Sequence, residues 1–243
     1  MTQVKPIFLR EFKAYFATPL AYVFVVIFLV LMGVFTFYLG GFFERGQADL
    51  QTFFVWHPWL YLFLVPALGM RLWAEEHKTG TIELLLTQPV SITEVMVGKF
   101  LAAWGIIALS LALTFPIWIT VNLLGSPDNG VIVAAYIGSL LMAASFLAVS
   151  TALSAVTSNQ VIAFILSIVC CFVFLLSGYP IVLDFFSTWL PDFVVTAIAY
   201  MSFLTHFDAS LKGILDLRSV VFFLTFTIVW LFVGTQVVAG KRS

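Results

Sequence analysis

The side chains with chemical potential concentrate in one stretch of the sequence, residues 71–99. It is the densest polar segment of the chain, with Arg71, Glu75, Glu76, His77, Lys78, Glu83, Glu94 and Lys99. Apolar runs of membrane-spanning length flank it on both sides. Because a charge at the centre of a membrane helix costs about 2.5–3.5 kcal/mol, the stretch is expected to lie in water between two membrane helices. We interpret it as the contact through which the protein receives a signal from a partner.

These charged residues do not form the motif of a known catalytic site. Gly98-Lys99-Phe100 lacks the spacing and the hydroxyl of a G-x-x-x-x-G-K-[ST] phosphate-binding loop, and no H-E-x-x-H motif occurs. The central regions of the apolar runs contain no Asp, Glu, Lys or Arg, whereas proton- or ion-coupled carriers normally need such groups. The sequence therefore predicts neither an enzyme nor a secondary transporter, and no cofactor bound by the chain itself.

Two histidines and both cysteines are predicted to have structural rather than chemical roles. His57 and His206 fall near the predicted outer membrane boundary, where interface anchoring is expected ahead of proton shuttling. Cys170 and Cys171 are neighbours inside an apolar run and are expected to pack as small apolar side chains, because adjacent cysteines rarely form a disulfide.

The composition is that of an integral membrane protein. Of 243 residues, 62% are hydrophobic and only 9% are charged, against about 25% charged residues in a typical soluble domain. The net charge of −1 gives no reason to expect nucleic-acid binding. We predict a single all-α domain in a lipid bilayer, with six membrane spans at about 19–39, 58–73, 97–124, 131–156, 161–178 and 219–239.

Residues 5–17 are predicted to form an amphipathic helix in the membrane interface. Phe8, Phe12, Tyr15 and Phe16 share one face by their 3–4 spacing. The alternative is a flexible basic tail. Thr18 is expected to cap the next helix, with Pro19 at its first position. We also predict an ionic clasp between this helix and the end of the second span, formed by Arg10 and Lys13 with Glu75 and Glu76.

Residues 75–90 are predicted to carry a short helix outside the membrane. Thr79-Gly80 breaks the preceding helix, and Thr81–Thr87 can form a helix that stops before Pro89. Ile82, Leu85 and Leu86 lie on one side of it. These aliphatic side chains either meet a partner surface or fold back on the protein itself. Ser91 and Glu94 then match a capping box that begins the third span.

Residues 179–212 contain apolar pieces too short to span, and Pro191-Asp192 resembles a helix start. A re-entrant or interfacial hairpin on the outer side is expected. With six spans and the N-terminus inside, eight of the eleven Lys and Arg residues fall inside, which satisfies the positive-inside rule. Both termini and residues 75–90 are therefore predicted to be cytoplasmic.

The stretch EEHKTGTIELLLTQPVSITEVMVGKF resembles the signature of ABC-2-type permeases, the membrane subunits of ABC transporters. The matching residues are Glu76, Gly80, Thr81, Glu83, Leu85, Pro89 and Lys99. The stretch THFDASLKGILDLRSVVFFLTF resembles the gliding-motility-type branch of this family. There His206, Gly213 and Asp216 match, and Pro191 and Asp208 complete the set assigned to the outer hairpin.

The resemblance implies an export-type permease of a bacterial inner membrane that works in pairs, with a second copy or a homologous permease. It implies that residues 5–17 are an elbow helix, Thr81–Thr87 a coupling helix seated on a separate ATP-binding subunit, and 179–212 the outer hairpin. ATP and Mg²⁺ would bind to that subunit. Members of the branch also resemble subunits that operate with a membrane protein carrying a large periplasmic domain. Two further functions stay open: a subunit that transports nothing and transmits ATP-driven motion to such a partner, and an autonomous channel or carrier.

Overall fold

In the computed structural model, residues 3–81 and 90–240 are described, and every regular element in these ranges is helical, as predicted. The N-terminal half contains α1 (Val4–Ala17), α2 (Leu20–Gly33) with a π-helical continuation (Val34–Leu39), α3 (Gln51–Phe54), α4 (His57–Gly69), α5 (Arg71–Thr79), α6 (Ile92–Ala112) and α7 (Phe115–Leu124). The C-terminal half contains α8 (Asn129–Val156), α9 (Gln160–Leu176), α10 (Pro180–Ser187), α11 (Asp192–Tyr200), α12 (Phe203–Leu211) and α13 (Leu217–Gly240).

Five helical runs in the described residues are long and apolar enough to cross a membrane: Leu20–Leu39, Gln51–Thr79, Ile92–Leu124, Asn129–Val156 and Leu217–Gly240. Two helix pairs, α9 with α10 and α11 with α12, are bent by 78° and 61° and pass the same test only as pairs. The protein therefore has five to seven candidate spans, and the predicted number of six stays a prediction.

Helix α8 is the centre of the bundle and packs against α4, α5, α6, α9, α12 and α13. It can do so because small residues line it, and small side chains let membrane helices approach closely. Ala144, Ala148 and Ala152 are all buried within the chain. Against them lies α13, where a Cβ added to Gly234 would stand 3.1 Å from the Cα of Ala152. This stripe thus serves packing inside one subunit.

Two predicted helix boundaries are confirmed: the start of α6 at Ser91 and the break at Gly80. Ser91 caps α6, where its Oγ accepts from the Glu94 N–H at 3.1 Å and the Glu94 carboxylate accepts from the Ser91 N–H at 3.3 Å. Asp128 and Asn159 cap α8 and α9 through their side-chain oxygens. Gly80, at φ +72°, ends α5 in the left-handed conformation.

Two expectations are wrong. Thr18 does not cap α2, since its hydroxyl turns back and donates to the Ala14 and Tyr15 carbonyls at the end of α1. His57 is not an interface anchor, because it is 0% exposed and is enclosed by the rings of Phe28, Phe53 and Phe54. For Thr18 a competing local bond at the end of α1 prevails, whereas the burial of His57 comes from contacts with α2 and α3.

Candidate functional site: a buried ionic cluster joining three helices

The first turns of α6 are covered by α1. Two glycines one heptad apart on α6 make the close approach possible. A Cβ added to Gly98 would lie 2.6 Å from the Ile7 Cγ2, and one added to Gly105 would lie 3.0 Å from the Phe12 ring. The aromatic face predicted for residues 5–17 packs here, with Phe8 and Phe12 ring centroids 5.5 Å apart. This contact places α1 over the side chain of Lys99.

Lys99 is a buried cation, only 4% exposed. Its Nζ lies 2.6 Å from Oε1 of Glu76 on α5 and 3.3 Å from Oε2 of Glu11 on α1. The Glu11 carboxylate also accepts from Arg10 at 2.8 Å. We call Lys99, Glu76, Glu11 and Arg10 the Lys99 cluster. One ammonium group thus connects three helices.

The Trp73 ring completes the environment of Lys99, with its centroid 6.0 Å from the Nζ atom. Trp73 is fully buried, and its indole N–H donates to the Met96 sulfur at 3.2 Å. A cation facing an aromatic ring at this distance is at the outer limit of cation–π attraction. The two carboxylates therefore dominate the stabilisation of the charge.

The pKa of Glu11 reflects two opposing effects within the cluster, burial and the neighbouring positive charges. Burial alone would raise the pKa of this carboxyl, but the positive charges and hydrogen bonds of Lys99 and Arg10 outweigh burial and leave the pKa below its ordinary value. Oε2 of Glu76 is buried and has no hydrogen-bond partner among residues 3–81 and 90–240. Glu76 Oε2 is therefore an unused hydrogen-bond acceptor close to the Lys99 ammonium group.

The α5 side of the cluster is anchored to the central helix. The Ser154 Oγ of α8 donates to the Met70 carbonyl at 2.8 Å and accepts from the N–H groups of Trp73 and Ala74 at 3.1 and 3.0 Å. These bonds satisfy backbone groups left free where α4 ends and α5 begins. Together with the Lys99 cluster, they make α5 part of a four-helix unit with α1, α6 and α8.

The predicted coupling residues continue from this unit. Glu76 belongs to the Lys99 cluster, and Gly80 ends α5. Thr81 is exposed, and its hydroxyl lies 2.9 Å from that of Thr79. The other predicted coupling residues lie outside the described residues: Ile82, Glu83, Leu85, Leu86 and Pro89. Their role stays a prediction.

The predicted clasp involves the right helices but different partners. Arg10 pairs with its neighbour Glu11, and Glu76 pairs with Lys99. Lys13 is exposed, while Glu75 lines an open pocket between α1 and α5 together with Arg71 and Tyr15. Sequence reasoning missed Glu11 and the burial of Lys99. A signal was present in the glycines at 98 and 105, which mark the α6 face that another helix covers.

His206, one of the residues predicted to belong to an outer hairpin, lies at a junction of three helices. The His206 ring bonds the Ser219 hydroxyl at 3.1 Å through Nδ1 and the Tyr200 carbonyl at 2.9 Å through Nε2, and it stacks on Phe222. Because a carbonyl only accepts, Nε2 carries a proton and donates to Tyr200. His206 therefore ties α11 and α12 to α13.

The remaining hairpin residues do not converge on one site. Pro191 stands before the first turn of α11, and Asp208 is exposed on α12. Gly213 has φ +77° and lies against Val131 of α8. Asp216 accepts from the Arg218 N–H at 3.0 Å where α13 begins. Among the described residues, no group of three or more His, Cys, Asp or Glu is arranged to hold a metal ion.

Comparison with protein families gives a match over nearly the entire chain. The profile of the family described as "ABC-2 family transporter protein" matches residues 6–240. A comparison with curated proteins finds no matching sequence. The family match spans α1, the Lys99 cluster, residues 75–90 and the outer hairpin.

Proposed function

The chain belongs to the ABC-2 transporter family, and we propose from this membership that it is the export-type permease subunit of an ATP-driven transporter, coupled to a separate ATP-binding subunit. Permeases of this family are multi-pass membrane components of ABC transporters, and the family implies an ATP-binding partner and usually a second permease copy. Under this proposal, ATP and Mg²⁺ bind to the partner; the 243 residues themselves contain no G-x-x-x-x-G-K-[ST] phosphate-binding loop.

The Lys99 cluster is the observation that supports coupling through residues 75–90. Glu76 lies one turn before Gly80, and Lys99 lies two turns after the α6 cap at Ser91. The chain between them is therefore held at both ends by one ionic contact. A partner that moved this segment would move α5, α6 and α1 together, because Lys99 binds carboxylates on both other helices. Such rigid-body motion is a common form of switching transition.

Under this proposal, Thr81–Thr87 is the coupling helix and presents Ile82, Leu85 and Leu86 to the ATP-binding subunit on the cytoplasmic side. The N-terminal helix α1 is the elbow. The permease pairs with a second copy or a homologous permease in the bacterial inner membrane. Burying each leucine against the partner would contribute about 1.5–3 kcal/mol.

The test is a double substitution, Leu85→Asp with Leu86→Asp, made in the complete transporter. We expect the ATP-binding subunit to be lost on copurification, while the amount of permease in the membrane stays unchanged. A matched control is Leu215→Asp with Leu217→Asp, which changes two exposed leucines at the start of α13, one just before the helix and one at its first residue. The control should retain the ATP-binding subunit. Its retention at normal stoichiometry in the Leu85 and Leu86 variant would show that this segment is not the coupling element.

A further inference from the structure

A cleft between the first two membrane runs lies at the opposite end of the bundle from Lys99. The cleft consists of two cavities, and the Trp56 side chain lines both of them. One, of about 380 Å³, is an apolar groove lined by Leu31, Phe35, Trp59, Leu60, Phe63 and Leu64. The other, of about 330 Å³, is polar and includes Arg45, Gln51 and Thr52. Both volumes fall in the range of about 300–1,000 Å³ that is typical of ligand pockets.

Within residues 3–81 and 90–240, no carboxylate forms an ion pair with Arg45, the cation that lines the polar cavity. The Arg45 guanidinium is exposed, and it donates to the Thr52 hydroxyl and to the Gln47 amide oxygen. Both acceptors are uncharged. The Asp49 carboxylate, four residues along the chain, accepts from the Gln51 N–H at 3.0 Å. Because a guanidinium group matches phosphate and carboxylate oxygens in geometry and charge, Arg45 is suited to receive an anionic group.

The groove is formed by an irregular helix. Between Val34 and Leu39 the backbone bonds are π-helical, as in the 2.8 Å bond from the Gly40 N–H to the Phe35 carbonyl. Such segments are rare and frequently accompany functional sites. This one sets Phe35 against Trp56, with ring centroids 5.2 Å apart. Phe63 is 54% exposed at the edge of the groove, which therefore faces the surrounding membrane.

We propose that this cleft binds one anionic phospholipid of the bilayer, with its phosphate on Arg45 and one acyl chain in the groove beside Trp56. The groove has an almost purely apolar lining, which suits a hydrocarbon chain and offers nothing to a polar ligand. A tryptophan between the polar and apolar parts matches the usual place of this residue at the boundary of a membrane. A phospholipid has an anionic headgroup followed by apolar acyl chains, which is the same order as the polar cavity at Arg45 followed by the apolar groove beyond Trp56.

The test uses the full chain purified in detergent and titrated with phosphatidylglycerol or phosphatidylethanolamine, with bound lipids counted by native mass spectrometry. We expect one phosphatidylglycerol to bind about 10-fold more tightly than phosphatidylethanolamine. Both lipids have an anionic phosphate, but the ammonium group of phosphatidylethanolamine offsets that charge and is repelled by Arg45, whereas the phosphatidylglycerol headgroup keeps a net negative charge. Arg45→Gln should abolish this preference. Arg218→Gln is the matched control, because Arg218 is an exposed arginine outside the cleft, and it should leave the preference intact.

A second pair of variants tests the groove. Leu64→Trp should fill it and weaken both lipids equally, whereas Leu64→Met, which conserves volume, should bind as the wild type does. A wild-type elution profile in size-exclusion chromatography verifies folding of each variant. Equal loss of preference in Arg45→Gln and Arg218→Gln would overturn the proposal, as would wild-type lipid binding by Leu64→Trp. A mass corresponding to a second chain that disappears in Leu64→Trp, without any lipid preference, would assign the cleft to subunit contact instead.

Discussion

Lys99 of α6 and Glu76 of α5 form a 2.6 Å ion pair beneath the surface of the protein. The two residues flank the segment that we propose as the coupling element, 23 positions apart in the sequence. Because Glu11 of α1 binds the same ammonium, the pair also fixes the N-terminal helix. The helices on either side of residues 81–90 are thus held by a contact that does not depend on that segment.

We predict that Lys99→Met destabilises the protein strongly. The substitution leaves the Glu76 and Glu11 carboxylates without their buried cation, and removing one partner of a buried ion pair costs about 3–5 kcal/mol. The measurement is the apparent unfolding temperature in detergent. Lys99→Met combined with Glu76→Met should recover part of the loss, because the uncompensated charge on Glu76 is then absent.

Arg10→Gln is the control for this prediction. The Arg10 side chain is 58% exposed, and exposed ion pairs contribute little, so the unfolding temperature should stay close to that of the wild type. The prediction also requires the single variant Glu76→Met. If the unfolding temperature of Lys99→Met with Glu76→Met falls by the sum of the decreases in the two single variants, Lys99 and Glu76 act independently.

The second prediction concerns acid. The pKa of Glu11 is lower in the folded protein than its ordinary value of 4.5. Its contribution to stability is therefore complete above pH 4.5 and is lost as the pH falls from there through the lowered pKa. The difference in unfolding temperature between the wild type and Glu11→Gln should be largest at neutral pH and shrink below pH 4.5. A difference that stays constant from pH 7 to pH 3 would contradict this assignment.

The sequence predicted the helices of this site better than their contacts. Aromatic spacing located α1, and the Ser91–Glu94 box located the start of α6, because both signals are local. The choice of Lys99 rather than Arg10 as the partner of Glu76 depends on how α1, α5 and α6 cross, and no local pattern contains that information. The glycines at 98 and 105 carried part of it, since they permit the crossing of α1 over α6.

The same limit applies at the other end of the bundle. The π-helical segment at Val34–Leu39 has the apolar composition of an ordinary membrane helix, so the sequence predicted one uniform span over 19–39. The burial of His57 was missed for a related reason. Its enclosure comes from rings on α2 and α3, and those contacts form only once the helices pack.

The third prediction tests the topology by cysteine labelling from the two sides of the membrane. Exposed positions suited to it are Gln47, Ser126 and Asp208 on the predicted outer side, and Lys78 and Ser158 on the predicted inner side. Each is replaced singly by Cys in a Cys170→Ala, Cys171→Ala background. With six spans, an impermeant maleimide applied outside intact cells should label only the first three. Labelling of position 158 from outside would require a different number of spans before α9.

The last prediction compares two glycines with the same backbone strain. Gly80 and Gly46 have φ values of +72° and +60°, and an added Cβ would meet nothing within 4 Å at either position. An alanine in the left-handed conformation costs about 1–2 kcal/mol, so Gly80→Ala and Gly46→Ala should lower the unfolding temperature to a similar, small extent.

Only Gly80 connects α5 to the proposed coupling helix. Alanine there favours continuation of α5 and would redirect residues 81–90. We therefore expect Gly80→Ala alone to reduce the amount of ATP-binding subunit that copurifies and the ATP hydrolysis of the complex. Gly80→Asn should retain more of both, because asparagine tolerates the left-handed conformation. Equal retention of the ATP-binding subunit by the two alanine variants would show that the turn at Gly80 does not position the coupling helix.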